Sequence, residues 1–342
     1  KPWTEWAEDI RKRWGFALDY YRKECYFDIE FYKYLQFVFN KQWMKLKAYA
    51  NENGIEIIGD MPIYVSSDSS DVWANPSLFE LDRTGTPLSV AGCPPDGFSQ
   101  NGQLWGNPIY NYELMAAQDY AWWVKRAKAN FDLYDIIRID HFRAFDTYWK
   151  IIASCPTAVD GKWIIGPRHD FFNAVKKALP NIQIVAEDLG DLRPEVLELR
   201  DDFKFPGMQV IQFHCDPYTD NKPVEDVKNL VVYTGTHDND TLEGSYQLIE
   251  SNRKISLRRF FHNCGFFERN FHQLVVQFAL STNAELVIIP IQDLLGLKSQ
   301  ARINTPGTIG SPNWEWKLKN LKQVYDLLPK LGEWIKKSGR AE

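Results

Sequence analysis

Four short stretches of this chain run through β-branched and apolar side chains and then reach an acid: 55–60, 134–140, 182–188 and 230–238. The acids are Asp60, Asp140, Glu187 and Asp238. Two further apolar runs, 208–213 and 286–291, read as strands of the same kind. Between the runs lie helical stretches, near 117–130, 169–179, 194–203, 253–280 and 317–338. Another covers 29–52, where Phe31, Leu35, Phe39, Trp43 and Leu46 recur at helical spacing before Gly54. Apolar strands alternating with helices specify an α/β fold with a parallel sheet covered on both faces. Polar residues at the C-terminal ends of such strands mark the rim on which a site is built.

The segment 66–116 breaks this rhythm with Ser, Asp, Pro, Gly and Trp. It reads as a loop-rich insertion after an early strand, overhanging the same rim. The whole of 1–342 reads as one catalytic domain that includes this insertion. With 44% apolar and 25% charged residues, the chain can bury a core and is not a disordered one. Its net charge is −5, and its longest basic tract is only Arg11-Lys12-Arg13, which argues against a nucleic-acid partner. No run of about 18 apolar residues exists, so no membrane span is expected. Five widely spaced cysteines without a CxxC pair support neither a zinc site nor a disulfide framework. The opening residues lack the apolar core of a signal peptide, and together these features point to the cytoplasm. No phosphate-binding glycine loop is present, so neither a cofactor nor a metal is expected.

An acid at the end of a strand often only caps the next helix. Several such acids at the ends of apolar strands carry more weight, because a buried sheet excludes charges that are not paired or used. Arg138 lies two residues before Asp140, so both side chains share a face of the strand. His237 adjoins Asp238. Carboxylates with an arginine, and no thiol or metal, suit glycoside transfer by retention. That chemistry needs one ionised carboxylate as nucleophile and one protonated carboxyl as acid, later base. Arg138 favours the charged form at Asp140. The apolar neighbours Val185 and Ala186 favour the protonated form at Glu187.

The segments Arg138-Ile139-Asp140-His141-Phe142-Arg143, Ala186-Glu187-Asp188-Leu189-Gly190 and Thr234-Gly235-Thr236-His237-Asp238-Asn239-Asp240 resemble the signatures of the 4-α-glucanotransferases. These are the amylomaltases or disproportionating enzymes, glycoside hydrolase family 77 of the α-amylase superfamily. Gly59-Asp60-Met61-Pro62, Gly92-Cys93-Pro94-Pro95-Asp96, Trp105-Gly106-Asn107-Pro108 and Asn304-Thr305-Pro306-Gly307 match in the same order. The resemblance implies a (β/α)8 TIM-type barrel. Six strand candidates stand where eight are expected, so the barrel is expected to be incomplete at the N-terminus.

By the same resemblance Asp140 is the nucleophile, Glu187 the general acid/base and Asp238 the transition-state stabiliser. Arg138 and His237 are expected at the cleavage point, and Asp60 in an organising role. Asp96, Gln103, Trp105 and Asn304 are further candidates for sugar contact. Trp105 and Trp73 are the candidate stacking platforms of the insertion. Maltooligosaccharides and α-1,4-glucans are the implied partners, with no cofactor; oligomeric state stays open. Two alternatives use the same residues: an α-1,4-glucan hydrolase and a non-catalytic glucan-binding protein.

Overall fold

A computed structural model describes residues 1–95, 99–190, 192–214, 224 and 227–341. The expected candidate Asp96 lies outside the described residues. The chain divides into two compact units, Lys1–Phe205 and Pro206–Glu342.

The first unit contains two sheets. Strands β1 (Ile58–Met61), β4 (Ile136–Ile139) and β7 (Ile184–Ala186) form a parallel sheet in the order β1-β4-β7. Alternation decides how β4 sits. Ile137 and Ile139 are fully buried in the core, and Arg138 occupies the opposite face. Helices Ala121–Leu133, Arg168–Ala178 and Pro194–Asp202 supply the covering layer. The last begins with proline at its first turn, where the missing N–H costs nothing. The core is aromatic: Trp123, Phe142, Phe145, Phe171 and Phe172 are almost wholly buried. Each is worth about 1.5–3 kcal/mol of transfer free energy.

The other sheet of this unit is antiparallel, in the order β3-β2-β5-β6. It is built from β2 (Ser89–Cys93), β3 (Gln103–Pro108), β5 (Thr147–Ile152) and β6 (Gly161–Ile165). Val90, Ile151 and Ala158 make its small core. The stretch 66–116 is therefore not irregular throughout: it contributes β2 and β3, and pairs with strands from beyond β4. Its short strands are interrupted by Gly92, Gly106 and Pro108, which hides the period-2 signal.

In the second unit, β8 (Gly207–Val210), β9 (Leu230–Tyr233) and β10 (Leu286–Ile288) form a parallel sheet with β9 in the middle. All four residues of β9 are buried, the continuous apolar run of a central parallel strand. All six apolar runs of the sequence thus form parallel strands. The stretch 253–280 is two helices, Ser251–Asn263 and Phe271–Ser281, rather than one. Gly265 adopts φ +91° between them, a left-handed conformation that ends the first helix. Leu257, Phe261, Phe271, Leu274 and Val275 pack this unit's core.

Candidate active site

The C-terminal ends of β1, β4 and β7 bring together Asp60, Arg138, Asp140 and Glu187. Register explains the first contact. Asp60 pairs with Arg138 across β1 and β4, so their side chains emerge side by side. Arg138 Nη1 donates to Asp60 Oδ1 at 2.6 Å and to Asp140 Oδ1 at 3.0 Å. The ladder continues past the strand ends, with Asp140 N–H donating to Met61 O and Glu187 N–H to Ile139 O. Nucleophile and acid/base candidates are thereby fixed to adjacent strands. The Arg138 side chain is 11% exposed, whereas those of Asp60 and Asp140 are 46% and 43% exposed. The cation is sunk behind two carboxylates that face outward. Burial alone would lower its pKa, but Asp60 and then Asp140 outweigh burial and hold the guanidinium charged.

Glu187 has the opposite surroundings. Burial raises its carboxyl from the ordinary 4.5 to about 7; Arg138 opposes this rise and the charge of Asp140 adds to it. Two backbone donors keep the side chain in place: His141 N–H to Oε2 at 2.7 Å and Leu189 N–H to Oε1 at 3.2 Å. Asp188, the next residue, points elsewhere. It is buried and takes a 2.5 Å bond from Arg200 Nη1, so it anchors the following helix. The two carboxyl groups on β4 and β7 are thus set apart chemically, one raised and one paired with a cation.

His141 is a site residue that spacing did not reveal. It sits in the left-handed region at φ +52°, and this turn aims its N–H at Glu187. Burial, then Arg143, lowers its ring pKa to about 4, so the ring is neutral at pH 7. Trp105 packs edge-on against it with centroids 4.9 Å apart. Gln103 Oε1 accepts from Trp105 Nε1 at 3.1 Å. Both insertion candidates therefore reach the rim through His141. The contacts of Trp73 lie with the N-terminal segment: its Nε1 donates to Ile10 O at 3.2 Å, and Trp6 packs edge-on against it.

The second unit carries Asp238 and His237 on the loop after β9. Asn304 Nδ2 donates to Asp238 Oδ1 at 2.7 Å, and Arg302 Nη2 to the Asp238 carbonyl at 2.7 Å. Arg302 was not among the expected residues; only its nearness to Asn304 pointed to it. His237 lies 3.5 Å from Asp238 Oδ2, and Trp314 stacks at a tilt on its ring, 5.2 Å between centroids. A cavity of about 390 Å³ adjoins the loop, lined by His237, Asn239, Arg302 and Trp316 among others. Asp238, His237 and Asn304 lie together on this side of the second unit. Among the described residues no three His, Cys, Asp or Glu side chains group as a metal ion would require.

The family model described as 4-alpha-glucanotransferase, glycoside hydrolase family 77, matches residues 1–323. The chain belongs to this family. The 4-alpha-glucanotransferase of Streptococcus pneumoniae serotype 4 is 46% identical over 321 residues, covering 92% of this chain and 63% of that protein. The 4-alpha-glucanotransferase of Clostridium butyricum is 43% identical, covering 99% of this chain and 70% of the relative. Among solved structures, an amylomaltase of Streptococcus agalactiae in complex with acarbose superposes with a TM-score of 0.95 at 36% identity. The match spans 100% of this chain and 69% of that one. This family member therefore has the α/β-barrel fold class that the resemblance implied. It spans less than two thirds of the length of the pneumococcal 4-alpha-glucanotransferase.

Proposed function

We propose that this chain carries the glycosyl-transfer chemistry of a 4-α-glucanotransferase acting on α-1,4-glucans and maltooligosaccharides. A carboxylate of Asp140 attacks the anomeric carbon of the donor while Glu187 gives its proton to the departing glycosidic oxygen. The glucanyl unit is then held as an ester on Asp140. Glu187, now ionised, takes the proton of an acceptor 4-hydroxyl, whose oxygen displaces Asp140 and regenerates an α-1,4 bond with retention. Asp238 is assigned to stabilising the positive charge that develops on the sugar ring. Arg138, Asp60 and His237 are assigned to orienting carboxylates and substrate. Gln103, Trp105 and Asn304 are assigned to sugar contact, as is Asp96 from the resemblance alone.

The observation that supports this most is the pair of carboxyls at the ends of β4 and β7. Glu187 is raised to about 7 while its neighbour Asp140 is bonded to Arg138. A carboxyl raised in this way beside a carboxylate bonded to a cation is what the acid/base assignment of Glu187 requires. No described helix is long and apolar enough to cross a membrane. The thiols of Cys25, Cys155 and Cys264 support a reducing compartment, and we place the protein in the cytoplasm.

Maltotriose tests the reading. Transfer converts it to longer oligosaccharides plus glucose, and Asp140→Asn abolishes both products. Formation of shorter sugars alone would assign a hydrolase. Binding without consumption would assign a glucan-binding protein.

A further inference from the structure

The loop 235–241, which carries His237 and Asp238, is braced within itself. Asn239 Oδ1 accepts from Thr236 N–H at 2.8 Å and from Thr236 Oγ1 at 2.9 Å. Asp238 N–H in turn donates to Thr236 Oγ1 at 3.3 Å. A loop tied in this manner is held as a unit, and the residues at its two ends help to set its orientation. Both joints meet one side chain. Asp293, from the short helix Ile291–Leu294 after β10, accepts from Thr234 Oγ1 on Oδ2 at 2.7 Å. Its Oδ1 accepts from Leu242 N–H at 2.8 Å. Thr234 ends the approach to the loop, and Leu242 opens the helix that leaves it. Asp293, Thr234 and Leu242 are each no more than 2% exposed. Hydrogen bonds to a buried carboxylate are strong and directional, and neither joint can exchange its bond for water.

We propose that Asp293 is a positioning residue: it clamps both ends of the Asp238 loop and so sets where Asp238 and His237 stand relative to substrate. This rests on the transferase reading for its catalytic consequence, but the clamp itself can be measured without turnover. Nothing in the chemistry assigned above uses Asp293. A carboxylate buried this deeply is costly unless its bonds compensate. Side chains of Asn304, Arg302, Gln212 and Ser299 also hold the loop through Asp238 and Asp240; Asp293 joins its two ends to one buried group, and a misplacement of about 1 Å at a reacting centre can cost about 10²-fold in rate.

The test uses Asp293→Ala, Asp293→Asn and Thr234→Val in the purified protein, each confirmed as folded by near-UV circular dichroism. Asp293→Ala is expected to lower kcat on maltotriose by about 10²-fold with little change in KM. Asp293→Asn is expected to restore most of it, because its amide oxygen still accepts from Leu242 and its NH2 can donate to the Thr234 hydroxyl. Combining Asp293→Asn with Thr234→Val removes that acceptor and is expected to lower kcat again; this pair serves as the main variant if Asp293→Ala does not fold. In an Asp238→Asn background Asp293→Ala is expected to cost much less, since only the positioning of His237 is then left to lose, an outcome that general destabilisation would not produce. Equal loss in both backgrounds overturns the proposal, as does wild-type kcat in Asp293→Ala or in the Asn/Val pair. Hydrogen exchange of the peptide covering 235–242 reads the clamp directly and is expected to accelerate in the same variants. Unchanged exchange overturns the proposal whatever the activity. If the wild-type protein fails to convert maltotriose, the transferase reading fails while exchange still decides whether Asp293 holds the loop.

Discussion

At Glu187, stability and activity pull in opposite directions. Its folded-state pKa, about 7, stands above its ordinary 4.5. The folded protein therefore holds the proton more tightly than the unfolded chain does. Stability declines as pH rises from about 4.5 to about 7, and the loss is complete above that window. Glu187→Gln has no charge to bury. Its thermal midpoint is expected to match the wild type at pH 4 and exceed it at pH 8, by an amount equivalent to about 1–3 kcal/mol. Turnover is expected to vanish in the same variant, and identical midpoints at pH 8 would contradict the burial argument. For the wild type, kcat/KM is expected to fall above about pH 7, where the acid is lost. His141 modulates that limb, because its N–H bond to Glu187 lowers the carboxyl's pKa. His141→Val places a β-branched side chain at φ +52° and disfavours the turn. The limb should then move to higher pH, whereas His141→Asn, which tolerates the left-handed region, should leave it in place. Glu187 was readable from the sequence because Val185 and Ala186 announce its burial. The role of His141 was not, because it resides in a backbone angle that the residue type does not declare.

Among the elements, the parallel strands were the legible part. Most residues of their runs are apolar or β-branched, and helices lie between most of them. The antiparallel sheet was not, because β2 and β3 owe their pairing to close backbone approach rather than to an alternating pattern. Gly92 shows this: a Cβ there would stand 2.1 Å from the Gln103 carbonyl oxygen and 2.7 Å from Ile151 Cδ1. The carbonyl belongs to the partner strand and has nowhere to retreat, so Gly92→Ala forces β2 and β3 apart. The substitution is expected to cost about 1–3 kcal/mol, read as a lower urea midpoint with unchanged slope. It should also weaken binding of maltooligosaccharides, since β3 carries Gln103 and Trp105. Wild-type stability would mean that the two strands are less tightly paired than their register requires. Gly265 is a parallel case: a single left-handed residue splits 253–280 into two helices, against an apolar periodicity that runs on through both.

For the whole molecule, the N-terminal region poses the question. Helix Tyr26–Glu52 has no buried residue, although more than half of its side chains are apolar. Its C-terminal half is tied down by Trp43 Nε1 to Leu133 O at 2.8 Å and Lys47 Nζ to Tyr134 O at 3.0 Å. Its N-terminal half is not: Phe27 is 85% exposed, Tyr32 67% and Phe37 63%. A helix this rich in apolar residues ordinarily covers part of them, and contiguous exposed apolar patches beyond a few hundred Å² are rare on monomers. The 342-residue chain by itself is therefore expected to self-associate at micromolar concentration. Association driven by apolar burial should persist or strengthen in kosmotropic salt such as sulfate, whereas an assembly held by surface ion pairs would weaken. Sedimentation velocity over a tenfold concentration range checks this. Replacing Phe27, Tyr32 and Phe37 with Lys should return the chain to a monomer while leaving the fold and the Glu187 site intact, since none of the three is buried. A wild-type chain that sediments as a monomer throughout would show that this face tolerates water, and the argument from its composition would fall.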